Sequence, residues 1–334
     1  MESSAVLGLD FGGTKIAAAV CDADDGGLLG TTIISAAADL GAAANLVRAI
    51  DTGRELLGRV AAGRTLAAVG VSTFGIPGVD GIALAPAIDG WADLAIARDL
   101  SKAFDGVPVR VATDVKAAAR VESERGSLAG CDPAIYLNLG TGLAVAIVAG
   151  GTVIEGRNGA SGEIGYNLRG RADVGRALAD RIPLEEVVSG GALLSAARET
   201  APELDSAAAV FAGAAGHPAL GRLLDEFLTE LAFHLVNLTI AVDPQRIAVG
   251  GGMVRSWDII SPRLRAALDA AVPYPPELVP AAYPYDAPLI GALALGVEAA
   301  RERLGATAAP TYSDNPSPQQ PGHVPAPVKK GLRG

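Results

Sequence analysis

The chain has 334 residues, half of them hydrophobic, and a formal charge of -10, with Lys and Arg scattered rather than clustered. It is long enough to bury a large core in two domains, and no basic field is present to hold a nucleic-acid backbone. Apolar runs are broken by Gly, Pro or charge before they would cross a bilayer, and no basic, apolar leader precedes the first strand, so the expectation is a soluble, cytoplasmic protein without membrane or nucleic-acid partners.

Two short apolar runs, 5–9 and 16–20, flank Asp10-Phe11-Gly12-Gly13-Thr14-Lys15. Two β-strands and a tight turn fit this pattern, with the glycines letting backbone amides face outward. Gly12 and Gly13 carry no Cβ to hold a phosphate away, Thr14 supplies a hydroxyl and Lys15 a positive charge. Asp10 would repel a bare phosphate, so its position at the strand end fits a divalent cation standing between the two. An ordinary hairpin satisfies the same residues, and the motif alone leaves both readings open. Cys21 and Cys131 are too few and too far apart for a disulfide framework or a cysteine metal site, and each reads as a small buried residue.

Residues 40–60 have helical apolar spacing, and 66–72 read as a buried strand. The following Thr73-Phe74-Gly75-Ile76-Pro77-Gly78-Val79-Asp80-Gly81 is a shaped loop at a strand end, where α/β folds put their ligands. A second loop over 85–91 leads to a helix over 93–104 and a strand over 107–112. That strand delivers Thr113 and Asp114 to the start of a helix over 115–125. At such a junction Asp114 suits either an N-cap or a catalytic carboxylate.

The strand, glycine turn and strand of the opening return at 134–139, Gly140-Thr141-Gly142 and 143–148. Two such hairpins imply two related α/β lobes whose turns grip one polyphosphate from opposite sides. A glycine-rich loop over 156–166 contains Glu163, a candidate ligand-binding acid. Residues 183–198 begin a helical region with Glu185 in its first turn, where the helix dipole alone would favour it. A long helix over 220–242 holds His234, read as structural. A strand then runs into Gly250-Gly251-Gly252, on which a flat base or ribose can lie, and a helix over 258–271 follows. A last helix over 289–304 precedes a Pro-, Ser- and Gln-rich tail without periodicity, expected to be disordered from 306 onward.

In this order the motifs resemble the ROK family of sugar kinases and related repressors, within the actin-like, hexokinase-type ATPase superfamily. The match is carried by Asp10-Phe11-Gly12-Gly13-Thr14-Lys15, Gly75-Ile76-Pro77-Gly78, Thr113-Asp114-Val115-Lys116-Ala117-Ala118-Ala119, Leu139-Gly140-Thr141-Gly142, Gly159-Ala160-Ser161-Gly162-Glu163-Ile164-Gly165, Leu184-Glu185 with Ser189-Gly190, and Val249-Gly250-Gly251-Gly252. The resemblance implies a two-lobed, actin-like (ribonuclease H-like) α/β fold with a cleft between duplicated domains. Residues 1–117, completed by a C-terminal helix over 289–305, would form the small lobe, 118–288 the large lobe and 306–334 the tail. It also implies ATP, Mg²⁺ and a hexose-like acceptor, with a homodimer compatible with it. Asp114 would be the base that takes the proton from an acceptor hydroxyl, of primary type, as it attacks the γ-phosphorus. Asp10 would act on Mg²⁺ through water; Gly12, Gly13, Thr14 and Lys15 on one side and Gly140, Thr141 and Gly142 on the other would hold phosphates. Gly250, Gly251 and Gly252 would border adenosine. On the acceptor side the implied residues are Gly75, Pro77, Thr113, Glu163, Tyr166 and Glu185.

The departures from the family pattern concern the acceptor. Thr113 and Ala87 stand where the kinases commonly have Asn, and Tyr166 replaces the His of Glu-x-Gly-His. The Cys-x-Cys-Gly-x-x-Gly-Cys segment is absent, so no zinc site is expected and the loop of Glu163 and Glu185 must be braced otherwise. Changed hydrogen-bonding groups redirect acceptor choice more than they abolish transfer. The expected acceptor is thus a modified hexose or cyclitol such as kanosamine or a C7-cyclitol, of the kind used in antibiotic biosynthesis, with an ordinary glucokinase or fructokinase as the alternative. A non-catalytic, sugar-sensing regulator is the reading of another class. The family's repressors carry a helix-turn-helix ahead of the kinase-like body, whereas the first strand here starts at about residue 5 and the charge is acidic. A silent sugar binder would have no need of Asp114 beside a phosphate site.

Overall fold

The computed structural model describes residues 3–85 and 88–303; Ala87 and the tail expected over 306–334 lie outside them. The first 125 residues run β1 (Ser4–Phe11), β2 (Lys15–Asp22), β3 (Leu28–Ser35), α1 (Gly41–Val60), β4 (Thr65–Thr73), a small ribbon of β5 (Ile76–Pro77) and β6 (Ile82–Ala83), α2 (Ile96–Ala103), β7 (Val109–Thr113) and α3 (Asp114–Arg125). The remainder runs β8 (Ala134–Leu139), β9 (Leu143–Ala149), β10 (Thr152–Val153), α4 (Gly190–Ala197), α5 (Ala207–Gly213), α6 (Pro218–Val242), β11 (Arg246–Gly250), α7 (Trp257–Ala271), β12 (Glu277–Pro280) and α8 (Ala287–Arg303).

One sheet has the order β3-β2-β1-β4-β7 and the other β10-β9-β8-β11-β12. Each starts with an antiparallel hairpin and continues with parallel strands, so the second sheet repeats the first position by position. Because β1 is central and covered on both faces, it reads as a continuous apolar run rather than an alternation. One face meets Leu46, Ala49 and Leu56 of α1, and the other meets Leu289 and Leu293 of α8.

The helices that follow the two sheets are exchanged. α3 leaves the first sheet and packs Val115, Ala118, Ala119 and Val121 on Ala134, Tyr136, Ala146 and Val148 of the second. α8 leaves the second sheet and returns to the first. The two helices touch where a Cβ on Gly291 would strike the Ala117 carbonyl, and Gly70 has room only for the backbone of α8 beside it. Glu122, buried in α3, accepts from the amides of Ser127, Ala282 and Tyr283 at 2.7, 3.1 and 2.7 Å, fixing the segment that leads into α8.

Most expected elements are present, with six strands and helices added among the described residues: β3, the two strands β5 and β6 of the small ribbon, β10, α5 and β12. The helix expected over 93–104 begins only at Ile96, after a 3₁₀ turn at Trp91–Asp93, and the helical region expected over 183–198 divides into a 3₁₀ turn at Leu184–Glu186 and α4. Cys21 is buried as expected, but Cys131 is only half-buried.

Candidate active site

The three-residue gap between β1 and β2 is Gly12-Gly13-Thr14, closed by the Gly12 amide on the Lys15 carbonyl at 2.9 Å. Gly13, Thr14 and Lys15 are exposed. A Cβ on Gly13 would meet nothing within 4 Å, so local packing does not require glycine there and the turn is open on this side. Parallel register sets Asp10 beside Ser72, whose hydroxyl donates to the Asp10 carboxylate. Burial pushes the Asp10 carboxyl above its usual range, the Ser72 hydrogen bond and the Lys15 charge oppose the rise, and the nearby Asp286 adds to it. Ser72 and Asp286 are site residues that the sequence reading missed. Counting the register of β4 against β1 would have found the first, whereas Asp286 comes near only through tertiary folding.

The second hairpin is held from behind. The amides of Gly190 and Gly191 at the start of α4 donate to the carbonyls of Gly140 and Thr141 at 2.9 and 3.2 Å, and a Cβ on Gly190 would lie 2.5 Å from the Gly140 oxygen. Glu185 accepts from the Leu143 amide at 2.8 Å, so this carboxylate, exposed on its outer side, also fastens the turn. Gly251, at φ +89°, lies against the end of β8, where a Cβ would come within 2.5 Å of the Leu139 carbonyl. Of the three glycines expected beside adenosine, Gly250 is buried against Tyr136 and only Gly252 has open space around it. The Gly251 amide donates to Pro284 at 2.9 Å, two residues before the Asp286 that acts on Asp10. Both hairpins therefore border one region.

Asp114 follows directly on β7, and its side chain does not make the helix cap. Thr113, not Asp114, is the N-cap: its hydroxyl accepts from the Lys116 amide at 3.3 Å. Thr113, expected against the acceptor, is buried and spends its hydroxyl on that cap. Asp114 is the first helical residue and accepts from the Val115 amide at 2.8 Å. Its pKa is pushed up to about 7, chiefly by burial and then by the negative charge of Asp10, with Glu163 and Glu185 adding to the rise and the Val115 amide opposing it. Burial first, then Glu185 and Glu163, likewise raise the Tyr166 hydroxyl. The expected acids of both lobes are thus near enough to act on one another. Among the described residues no three His, Cys, Asp or Glu side chains are grouped to hold a metal by themselves.

The residues expected against the acceptor sit on loops from both halves of the chain. Gly75, at φ +75°, turns the chain into the ribbon of Ile76 and Pro77, and a Cβ on Gly159 would come within 2.9 Å of Ile76. Phe74 stacks on buried Trp91 at 4.8 Å, and the Trp91 indole donates to Thr73 at 3.2 Å. Where the family would carry its cysteines, polar contacts brace the loop. Arg181 donates to the carbonyls of Tyr166 and Asn167 at 2.7 and 3.1 Å, and Arg169 to Glu230 of α6 at 2.9 Å. His234, expected to be structural, is buried under this brace with Nδ1 3.4 Å from the Asn167 amide nitrogen, and burial lowers its pKa.

Duplicated sheets, each opened by a glycine hairpin, with a carboxylate at a helix start between them, define the two-lobed, actin-like class. The ROK family model matches residues 6–299, and the chain belongs to that family. It is 29% identical over 292 residues to the bifunctional enzyme NanE/NanK of Brucella suis biovar 1, covering 86% of this chain and 52% of that protein. The chain thus spans about half the length of the first curated relatives it matches. It is 30% identical over 309 residues to the kanosamine kinase of Amycolatopsis mediterranei, covering 89% of this chain and 97% of that one. Among solved structures, the ROK family glucokinase of Streptomyces griseus, in complex with glucose and AMPPNP, superposes with a TM-score of 0.71 at 26% identity, over 88% of this chain and 99% of that chain.

Proposed function

We propose that this chain is an ATP-dependent kinase that transfers the γ-phosphoryl group to a hydroxyl, of primary type, on a hexose or modified hexose. The observation that carries the reading is Asp114, relieved of the capping role by Thr113 and raised to about 7 among the acids of both lobes. A base with that affinity holds a proton taken from an alcohol and releases it near neutral pH. The amides and side chains of Gly12, Gly13, Thr14 and Lys15 would hold phosphates from one side and Gly140, Thr141 and Gly142 from the other, with Gly251 and Gly252 beside the nucleoside. Burial of Asp10 opposite an open glycine turn fits a Mg²⁺ ion held through water, and that ion would neutralise phosphate charge when bound. Closure of the lobes, defined as 1–117 with 289–305 against 118–288, would exclude water that competes for the phosphoryl group.

Glu163, Glu185 and the Tyr166 hydroxyl give the acceptor side a surplus of hydrogen-bond acceptors, suited to a polyol and to the ammonium of an amino sugar. This supports kanosamine or a C7-cyclitol over plain glucose, in keeping with the relative named kanosamine kinase, and a part in antibiotic biosynthesis goes with that reading. The test is ADP release by the purified protein with ATP against glucose, mannose, fructose, kanosamine and C7-cyclitols. Preference for an amino sugar or cyclitol is expected. Preference for glucose would overturn the specialised acceptor, and no turnover with any of them would overturn the kinase reading.

A further inference from the structure

Two residues beyond Asp114, the side chain of Lys116 is 2% exposed. A lysine there is unfavourable twice over, because its ammonium leaves water and because the first turn of α3 is the positive end of the helix dipole. Its partners lie on the loop of residues 154–163 in the other half of the chain. The ammonium donates to the Gly159 carbonyl and stands 3.4 Å from the Glu155 carboxylate. The loop is tied further by the Ser161 amide on the Glu155 carbonyl at 3.1 Å and by the Val145 amide on the Gly162 carbonyl at 2.9 Å. Glu163 follows directly. Burial raises its carboxyl, Glu185 adds to the rise, and the Lys116 charge is what opposes it.

Nothing in the sequence spacing of Lys116, two residues after Asp114 on a helix, marks it as buried. The fold gives it a different place: one side chain joins the helix that presents Asp114 to the loop that presents Glu163. We propose that Lys116 is a positioning residue for the acceptor, holding residues 155–163 against α3 so that the Glu163 and Asp114 carboxylates address the same sugar. The inference rests on the kinase reading. Glu155 is the outer half of this link, 45% exposed.

The test uses the full-length protein with its best acceptor and steady-state kinetics for both substrates, on Lys116→Met, Glu155→Gln and the double variant. Lys116→Met is expected to raise KM for the sugar about tenfold while KM for ATP stays within about twofold. Glu155→Gln moves the sugar KM the same way by about threefold, and the double variant is no worse than Lys116→Met, because both changes break one link. If Lys116→Met does not fold, Glu155→Gln with its sugar-against-ATP split decides alone. An unchanged sugar KM, or equal rises in both KM values, overturns the inference. An unmutated protein that phosphorylates no sugar overturns the kinase reading instead, so the two failures are distinguishable.

Discussion

The two glycine hairpins occupy the same place in duplicated sheets and differ in almost everything else. Asp10, Phe11 and Lys15 of the first answer to Asn138, Leu139 and Leu143 of the second, each pair flanking a gap of three residues. The first hairpin carries both charges and is open, with nothing within 4 Å of a Cβ on Gly13. The second is neutral and pinned from behind by the start of α4 and by Glu185. The same scaffold thus occurs twice with different surroundings: the first turn is charged and open, as the proposed cation and phosphate site requires, and the second is neutral and held still by the segments packed behind it.

The largest effect is expected where the two halves converge. Asp114→Asn should bind ATP with unchanged affinity and lose about 10²–10⁴-fold in kcat, measured by nucleotide titration beside a coupled assay. Next comes pH. A carboxylate raised to about 7 is protonated below that value, so kcat/KM for the sugar should fall about tenfold per unit below pH 7 and level off above it. Exchanging glycine for alanine sharpens the contrast between the hairpins. Gly13→Ala should leave Tm unchanged and raise KM for ATP about tenfold, since its methyl enters ligand space alone. Gly190→Ala, behind the second hairpin, should lower Tm instead, because a Cβ there would lie 2.5 Å from the Gly140 carbonyl oxygen that its own amide holds. The smallest effect is on stability. A carboxyl whose folded pKa is raised contributes stability that is fully present below its unfolded value of 3.8 and is lost as pH rises through about 7. Asp114→Asn should therefore melt higher than the unmutated protein by an amount that grows from pH 4 to pH 8.

Sequence reading succeeds here where one local pattern dictates one local geometry. Both hairpins, the buried strands and the long α6 were legible because glycine turns between apolar runs and a 3.6-residue period admit few alternatives. β3 and β12 were missed for an opposite reason. They are edge strands, Glu277–Pro280 only four residues long, and they pair because the sheet offers an edge rather than because their composition demands it. α5 is an alanine-rich segment of seven residues whose only start signal is the Ser206 cap. In the site, residue types on strands and turns were readable, but partners supplied by register or tertiary contact were not: Ser72 on Asp10, Asp286 across from it, and Lys116 turned into the Gly159 loop. The roles of Thr113 and Asp114 at the helix start required coordinates, since both residue types cap helices and only hydrogen bonds tell which one does.

The central claim is that a carboxylate between the two hairpins deprotonates an alcohol as the phosphoryl group arrives. Phosphorus NMR of the unmutated protein and Asp114→Asn, each with ATP, Mg²⁺ and the best acceptor, tests it most directly. The account predicts a sugar phosphate monoester growing in step with ADP for the unmutated protein, and for the variant bound ATP with the ester forming about 10²–10⁴-fold more slowly. Equal ester formation by both, or ADP with inorganic phosphate and no ester, would contradict it.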